Sequence, residues 1–219
     1  MKCVLCEQRK AKRQCPAIGN SICAQCCGEK RVLEINCPED CEYLQAGRTH
    51  EIQDYLRHMH SGTPVTQEKH HRVLDAHQNV IAHLEGTLAE ERLRAKRLTD
   101  KEVAEALDLL IDTYRTEDRG VLYEKSSSNL SLEMLRKELR NIIEHYRNPG
   151  KDKEGKVLIA GEDNRLPLKS AIECLQFIRD MVASHIEAQT SPTSYVNLLA
   201  RLIPRKRNLG GLQSSILIP

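Results

Sequence analysis

Eight of this chain's nine cysteines fall within its first 41 residues. They form the run Cys3-x2-Cys6-x8-Cys15-x7-Cys23-x2-Cys26-Cys27-x9-Cys37-x3-Cys41. So dense a set of thiols must either cross-link or hold metal. Zinc takes thiolates in tetrahedral fours, and a Cys-x2-Cys pair sets two sulfurs on one tight turn. Two such pairs are present, Cys3/Cys6 and Cys23/Cys26, and eight thiolates suffice for two four-cysteine sites. The opening Met1-Lys2-Cys3-Val4-Leu5-Cys6 lacks the apolar core of a signal peptide. The expected compartment is therefore a reducing cytoplasm, where clustered cysteines are more often metal ligands than disulfides. Disulfides are the alternative reading.

A chain of 219 residues has room for one small metal module and one helical domain with its own core. It has no tryptophan and one phenylalanine, Phe177, so that core must be built from Leu, Ile, Val and Met. A net charge of +2 argues against a strongly basic nucleic-acid binder and against an acidic solvating tail. No apolar run approaches membrane-spanning length, so no membrane role is expected.

Composition and periodicity divide the chain into a cysteine module at 1–48, a helical region at 49–203 and a tail at 204–219. The expected fold is mainly α: a small N-terminal cross-braced zinc-binding module followed by an antiparallel helical bundle. Pro38, Glu39 and Asp40 favour a helix start, and Tyr43, Leu44, Ile52, Tyr55, Leu56 and Met59 recur at helical spacing until Ser61-Gly62-Thr63-Pro64. Val73, Leu74, His77, Val80, Ile81, Leu84 and Leu88 form one stripe of a long helix over about 65–97. Thr99 with Glu102 is a capping box. Ser131, Pro167 and the Ser191-Pro192 pair open three more helices. Between them, Val157-Leu158-Ile159-Ala160 reads as a short strand or hairpin arm.

Within the module, Cys37 and Cys41 stand four apart at a predicted helix start, so both sulfurs can face one side. Cys26 and Cys27 point in different directions and so serve different sites. The favoured partition is cross-braced: Cys3, Cys6, Cys23 and Cys26 hold one zinc, and Cys15, Cys27, Cys37 and Cys41 the other. A sequential partition and a single zinc with spare thiols are the alternatives. No usual iron–sulfur spacing is present.

The spacing through Cys26 resembles that of B-box zinc fingers, with Ile18 where the fourth ligand would stand and Cys37 and Cys41 in place of histidines. The fuller string Cys-Pro-Ala-Ile-Gly, Cys-x2-Cys-Cys-Gly-x-Lys-Arg and Cys-Pro-x-Asp-Cys-x-Tyr-Leu resembles a group of bacterial proteins with this module ahead of a helical region. That resemblance covers residues 3–44 and extends loosely to Thr113–Glu124. It implies no activity.

Residues 1–50 hold eight Lys/Arg and six Asp/Glu, a side-chain charge of +2. Each four-thiolate zinc site carries about −2, so two would bring the module to about −2. Lys2, Arg9, Lys10, Lys12, Arg13, Lys30 and Arg31 are thus expected mainly to compensate thiolate charge. Elsewhere the helices carry no His-x3-His or His-Glu-x2-His motif. His77 reads as a core contact, and His50 as a substitute ligand only if a cysteine is not used. Glu117, Asp118, Arg119, Tyr123 and Glu124 read as a helix end with surface ion pairs. Cys174 reads as a buried, inert thiol. The tail joins a basic patch, Arg201, Arg205, Lys206 and Arg207, to an apolar end, Ile216-Leu217-Ile218-Pro219. The resulting expectation is a non-enzymatic zinc-binding adaptor with an unknown protein partner. A nucleic-acid-binding regulator is the alternative.

Overall fold

The computed structural model describes residues 1–121, 123–148, 165–188 and 191–203. The expected strand at 157–160 and the tail at 204–219 lie outside them. The described residues are mainly helical, with one small sheet near the N-terminus. Strands β1 (Arg13–Cys15) and β2 (Asn20–Ile22) form an antiparallel hairpin that pairs Arg13 with Ile22 and Cys15 with Asn20. Seven helices follow: α1 (Ala24–Lys30), α2 (Glu42–Met59), α3 (Pro64–Arg94), α4 (Asp100–Asp118), α5 (Leu130–Arg147), α6 (Leu168–Glu187) and α7 (Ser194–Leu202).

Local chemistry accounts for most of the boundaries. Thr63 caps α3, with Pro64 in its first turn. Thr99 and Glu102 exchange both bonds of the capping box at α4. Asn129, not Ser131, caps α5, accepting from the amides of Ser131 and Leu132. Pro167 precedes α6 as expected. The stripe of α3 does not run straight through His77. That residue is half-buried at a kink, with non-helical backbone angles of φ −136° and ψ 27°.

Two clusters of buried side chains result. The larger gathers apolar residues of α2 to α7, with Leu84, Leu107, Leu110 and Ile178 fully enclosed. The smaller lies in the module and consists of Cys3, Cys15, Cys23, Cys26 and Cys27 with Ile22 and Ile35. Helix α2 joins the two: it is capped by Cys41 and ends at Met59 in the larger core.

Three buried carboxylates fix how the helices meet. Asp100, at the start of α4, accepts from the amides of Tyr195 (3.0 Å) and Val196 (3.1 Å). It thereby caps α7, whose own N-cap residue makes no such bond. Glu51 of α2 binds Arg31 at 2.8 Å and Arg201 of α7 at 3.5 Å. At Gly47, beside this cluster, a Cβ would stand 1.8 Å from the Arg31 guanidinium and would displace it. Glu85 of α3 accepts from the hydroxyls of Tyr55 (2.9 Å) and Tyr195 (2.8 Å), bringing α2, α3 and α7 together.

Burial pushes the Glu85 carboxyl up to about 7, although the two tyrosine hydroxyls draw it down. The folded chain thus keeps a proton that the unfolded chain releases from an ordinary value near 4.5. Native stability therefore falls as pH rises through this window, by roughly 3 kcal/mol when complete. Glu85→Gln keeps an acceptor for the hydroxyls and cannot ionise. Its thermal stability relative to wild type should rise with pH from about 4.5 to about 7 and then level off. A difference independent of pH would mean that Glu85 ionises as freely folded as unfolded.

Candidate metal centre

The first cysteine set is built from two turns that meet. In the N-terminal loop Cys3 donates its amide to the Arg9 carbonyl (2.9 Å), and Glu7 donates to the Cys3 carbonyl (2.8 Å). Glu7 is left-handed, at φ 54°. The amides of Arg9 and Gln8 point at the Cys6 sulfur and hold its pKa below the ordinary thiol value. The second turn opens α1. Cys23 is its N-cap, and its sulfur accepts from the Cys26 amide at 3.3 Å. That bond leads in lowering Cys23 to about 6, with help from Arg9.

Arg9 spans both sulfurs of the second pair: Nε lies 3.3 Å from Cys23 Sγ and Nη2 lies 3.4 Å from Cys26 Sγ. Its donation pulls the Cys26 pKa down, but burial and the Cys23, Cys6 and Cys3 sulfurs outweigh it and push Cys26 up to about 11. In turn the Cys23 and Cys26 sulfurs raise the guanidinium pKa. Four clustered thiols cannot all ionise beside one another; a dication removes that penalty.

The sulfurs of Cys3, Cys6, Cys23 and Cys26 all lie within 4.8 Å of one another. Tetrahedral zinc, at about 2.3 Å from each sulfur, would set them roughly 3.8 Å apart, a spacing inside that limit. Cys3, Cys23 and Cys26 are buried and Cys6 is half-buried. This group can hold a metal ion, and it is the first set of the cross-braced partition.

The other four cysteines also come together, more loosely. Cys15 ends β1, Cys27 lies on α1, Cys37 precedes a turn and Cys41 is the N-cap of α2. All four line one cavity of about 10 Å³, closed by Ile22, Ile35 and Leu44. Among the described residues, the first set is the cysteine group whose sulfurs all meet within 4.8 Å. Burial raises the Cys37 pKa, the Val32 amide lowers it, and Cys15, Cys41 and Cys27 raise it further. Val32 is left-handed at φ 64°, which costs a β-branched residue roughly 1–2 kcal/mol. The expectation of a helix beginning at Pro38 is corrected. Cys41 donates to the Pro38 carbonyl in a turn, and α2 starts only at Glu42. The two sulfurs reach one cavity through that turn rather than through helical spacing.

Other candidate residues fall elsewhere. His50 is exposed on α2 and belongs to no metal-capable group among the described residues. Glu117 pairs with Arg147 at 2.6 Å, and Glu124 with Arg136 at 2.5 Å and Arg140 at 2.6 Å. Burial pushes the Cys174 thiol up to about 12, away from reactivity. One cluster escaped the sequence reading. Asp54 and His58 on α2 meet His185 of α6, within 4.8 Å. The Asp-x3-His spacing on one helix face was the available signal; its third member lies 127 residues beyond His58 and had none.

Arg9 neutralises thiolate charge directly, so its loss should be felt as weaker metal binding. Arg9→Gln is expected to lower zinc affinity about tenfold, in the range for a group that supports metal ligands. Competition with a chromophoric chelator reads this, with exposed Lys12→Ala unchanged. Equal affinities in Arg9→Gln and wild type would remove Arg9 from the site. Comparisons with family models, curated proteins and solved structures gave no match, so the functional reading rests on the geometry of the chain itself.

Proposed function

We propose that this chain is a structural zinc-binding interaction protein of the cytoplasm, holding two zinc ions through eight cysteines. The observation that carries the reading is the convergence of Cys3, Cys6, Cys23 and Cys26, with Arg9 bonded to two of their sulfurs. The shared cavity of Cys15, Cys27, Cys37 and Cys41 supports a second ion. So does the strained Val32, whose amide addresses the Cys37 sulfur. Backbone strain of this kind persists where the surroundings fix it, and metal ligation is such a constraint.

Four thiolates complete tetrahedral zinc and leave no coordination position for a substrate or an activated water. These sites therefore serve folding, and their binding energy stabilises the module. Recognition falls to the outer faces. A protein partner is favoured over nucleic acid, because five of the basic side chains that would meet phosphate are engaged within the chain. Arg9 lies on sulfur, Arg13 over the Tyr43 ring at 4.8 Å, Lys30 on Glu34, and Arg31 and Arg201 on Glu51. No helix among the described residues is long and apolar enough to cross a membrane.

Elemental analysis tests the metal reading on untagged protein, purified with reductant and dialysed against a mild chelator. Two zinc ions per chain are expected. Cys23→Ala and Cys37→Ala should each lose one ion and lower the unfolding temperature. Iron, or a metal-free chain with oxidised thiols, would overturn the reading in favour of redox chemistry. Full zinc content in Cys37→Ala would remove the second site.

A further inference from the structure

We propose that Asp54, His58 and His185 form a third metal site, for a divalent transition ion, where α2 meets α6 and α7. A ring nitrogen of each histidine and a carboxylate oxygen of Asp54 all lie within 4.8 Å of one another. Asp54 and His58, four residues apart, project from one face of α2. His185 enters from the last turns of α6 and is fully buried.

The hydrogen bonds around the rings leave ligand atoms free. His58 Nδ1 lies 2.7 Å from Ser184 Oγ, and His185 Nδ1 lies 3.2 Å from Ser194 Oγ. A proton on each Nδ1, given to the serine oxygen, leaves Nε2 of each ring with its lone pair. Metal-bound histidines characteristically donate their second nitrogen in this way. His185 Nε2 has no hydrogen-bond partner among the described residues, although it is buried. A buried imidazole nitrogen without a partner is costly, and a metal ion satisfies it.

The remaining geometry is compatible with an ion. The two rings stack with centroids 3.6 Å apart and planes 23° from parallel, so one must turn to bring both lone pairs onto a common point. His58 is half-buried on the solvent side, and the outer torsion of histidine is broad, so that ring can move. Asp54 keeps its second oxygen while Arg57 holds Oδ1 at 2.5 Å. Two imidazoles and one carboxylate suit zinc, cobalt or ferrous iron. Unlike a four-thiolate set, three protein ligands leave a position for water or another small ligand. An ion here would tie the C-terminal half of α2 to α6, away from the end capped by Cys41.

The test is a titration with cobalt chloride of the full chain holding two zinc ions after dialysis against a mild chelator, which clears a three-ligand site but not four-thiolate ones, read by visible absorption. Cobalt on nitrogen and oxygen gives weak visible bands, without the strong near-ultraviolet charge transfer of thiolate ligands. Wild type should show these bands, saturating at one equivalent. Asp54→Ala and His58→Ala should lose them. Both side chains are only half-buried, so circular dichroism and zinc content should stay unchanged in these variants. Ser184→Ala, which removes the partner of His58 Nδ1, should bind cobalt about tenfold more weakly. No nitrogen–oxygen bands at excess cobalt would overturn the proposal. So would bands as strong in both ligand variants as in wild type, or a thiolate band alone. The two metal readings fail separately, because zinc retention reports the cysteine sites and the visible bands report this one.

Discussion

The interior of the N-terminal module is sulfur rather than hydrocarbon, and the rest of its structure depends on that. Five of its eight buried hydrophobic residues are cysteines; the others are Ile22, Ile35 and Leu44. Its sheet is a hairpin of two three-residue strands, and its helix α1 has seven residues. Elements so short cannot bury enough apolar surface to offset their ordering entropy. A chain segment of this size needs cross-links or metal to hold a fold. The turns already carry the cost of preparing such sites, with Glu7 and Val32 both left-handed and backbone amides turned toward Cys6 and Cys37.

The module is not tethered by a loose linker. Cys41 is at once a wall of the second cysteine cavity and the N-cap of α2, and α2 continues for 18 residues into the helical core. Glu51, near the middle of α2, binds Arg31 just after α1 and Arg201 of α7. Arg201 also donates to the Glu29 carbonyl of α1 at 3.1 Å. The Glu51 side chain is only 5% exposed, so removing either arginine would leave buried charge poorly compensated. The contact between module and helices is therefore specific in register.

What was legible in the sequence follows from range. The capping box at Thr99 and Glu102, the proline before α6 and the three-four spacing of α4 to α7 are local signals, and local energetics decide them. The Cys-x2-Cys pairs are local as well, which is why Cys3, Cys6, Cys23 and Cys26 could be grouped from spacing. Boundaries set by competing turns were harder to read. Cys37 to Cys41 has the spacing of a helix, yet Pro38 begins a turn and α2 waits until Glu42. Asn129 displaces Ser131 as a cap because it accepts from two amides at once. Glu51, Glu85, Asp100 and His185 gave no signal, because their partners lie many residues away and a buried charge looks like a surface one until the fold is known.

Those long-range polar contacts explain how a core with little aromatic content can be specific. Leu, Ile and Val pack acceptably in many registers, and uniform aliphatic cores lose uniqueness before they lose stability. Each buried polar group here accepts one arrangement. Asp100 must meet the start of α7, Glu85 must meet two hydroxyls from two different helices, and Glu51 must meet the guanidinium groups of Arg31 and Arg201. A slip of one helical turn would strand a carboxylate without its donors, a penalty no leucine imposes. All three carboxylates engage α7 or Arg201 within it, so this short helix acts as the register mark for α2, α3 and α4. The same logic runs in the module with sulfur in place of carboxylate. There, the convergence of Cys3, Cys6, Cys23 and Cys26 sets which turns face one another, and α2 runs from the cysteine module into the helical core.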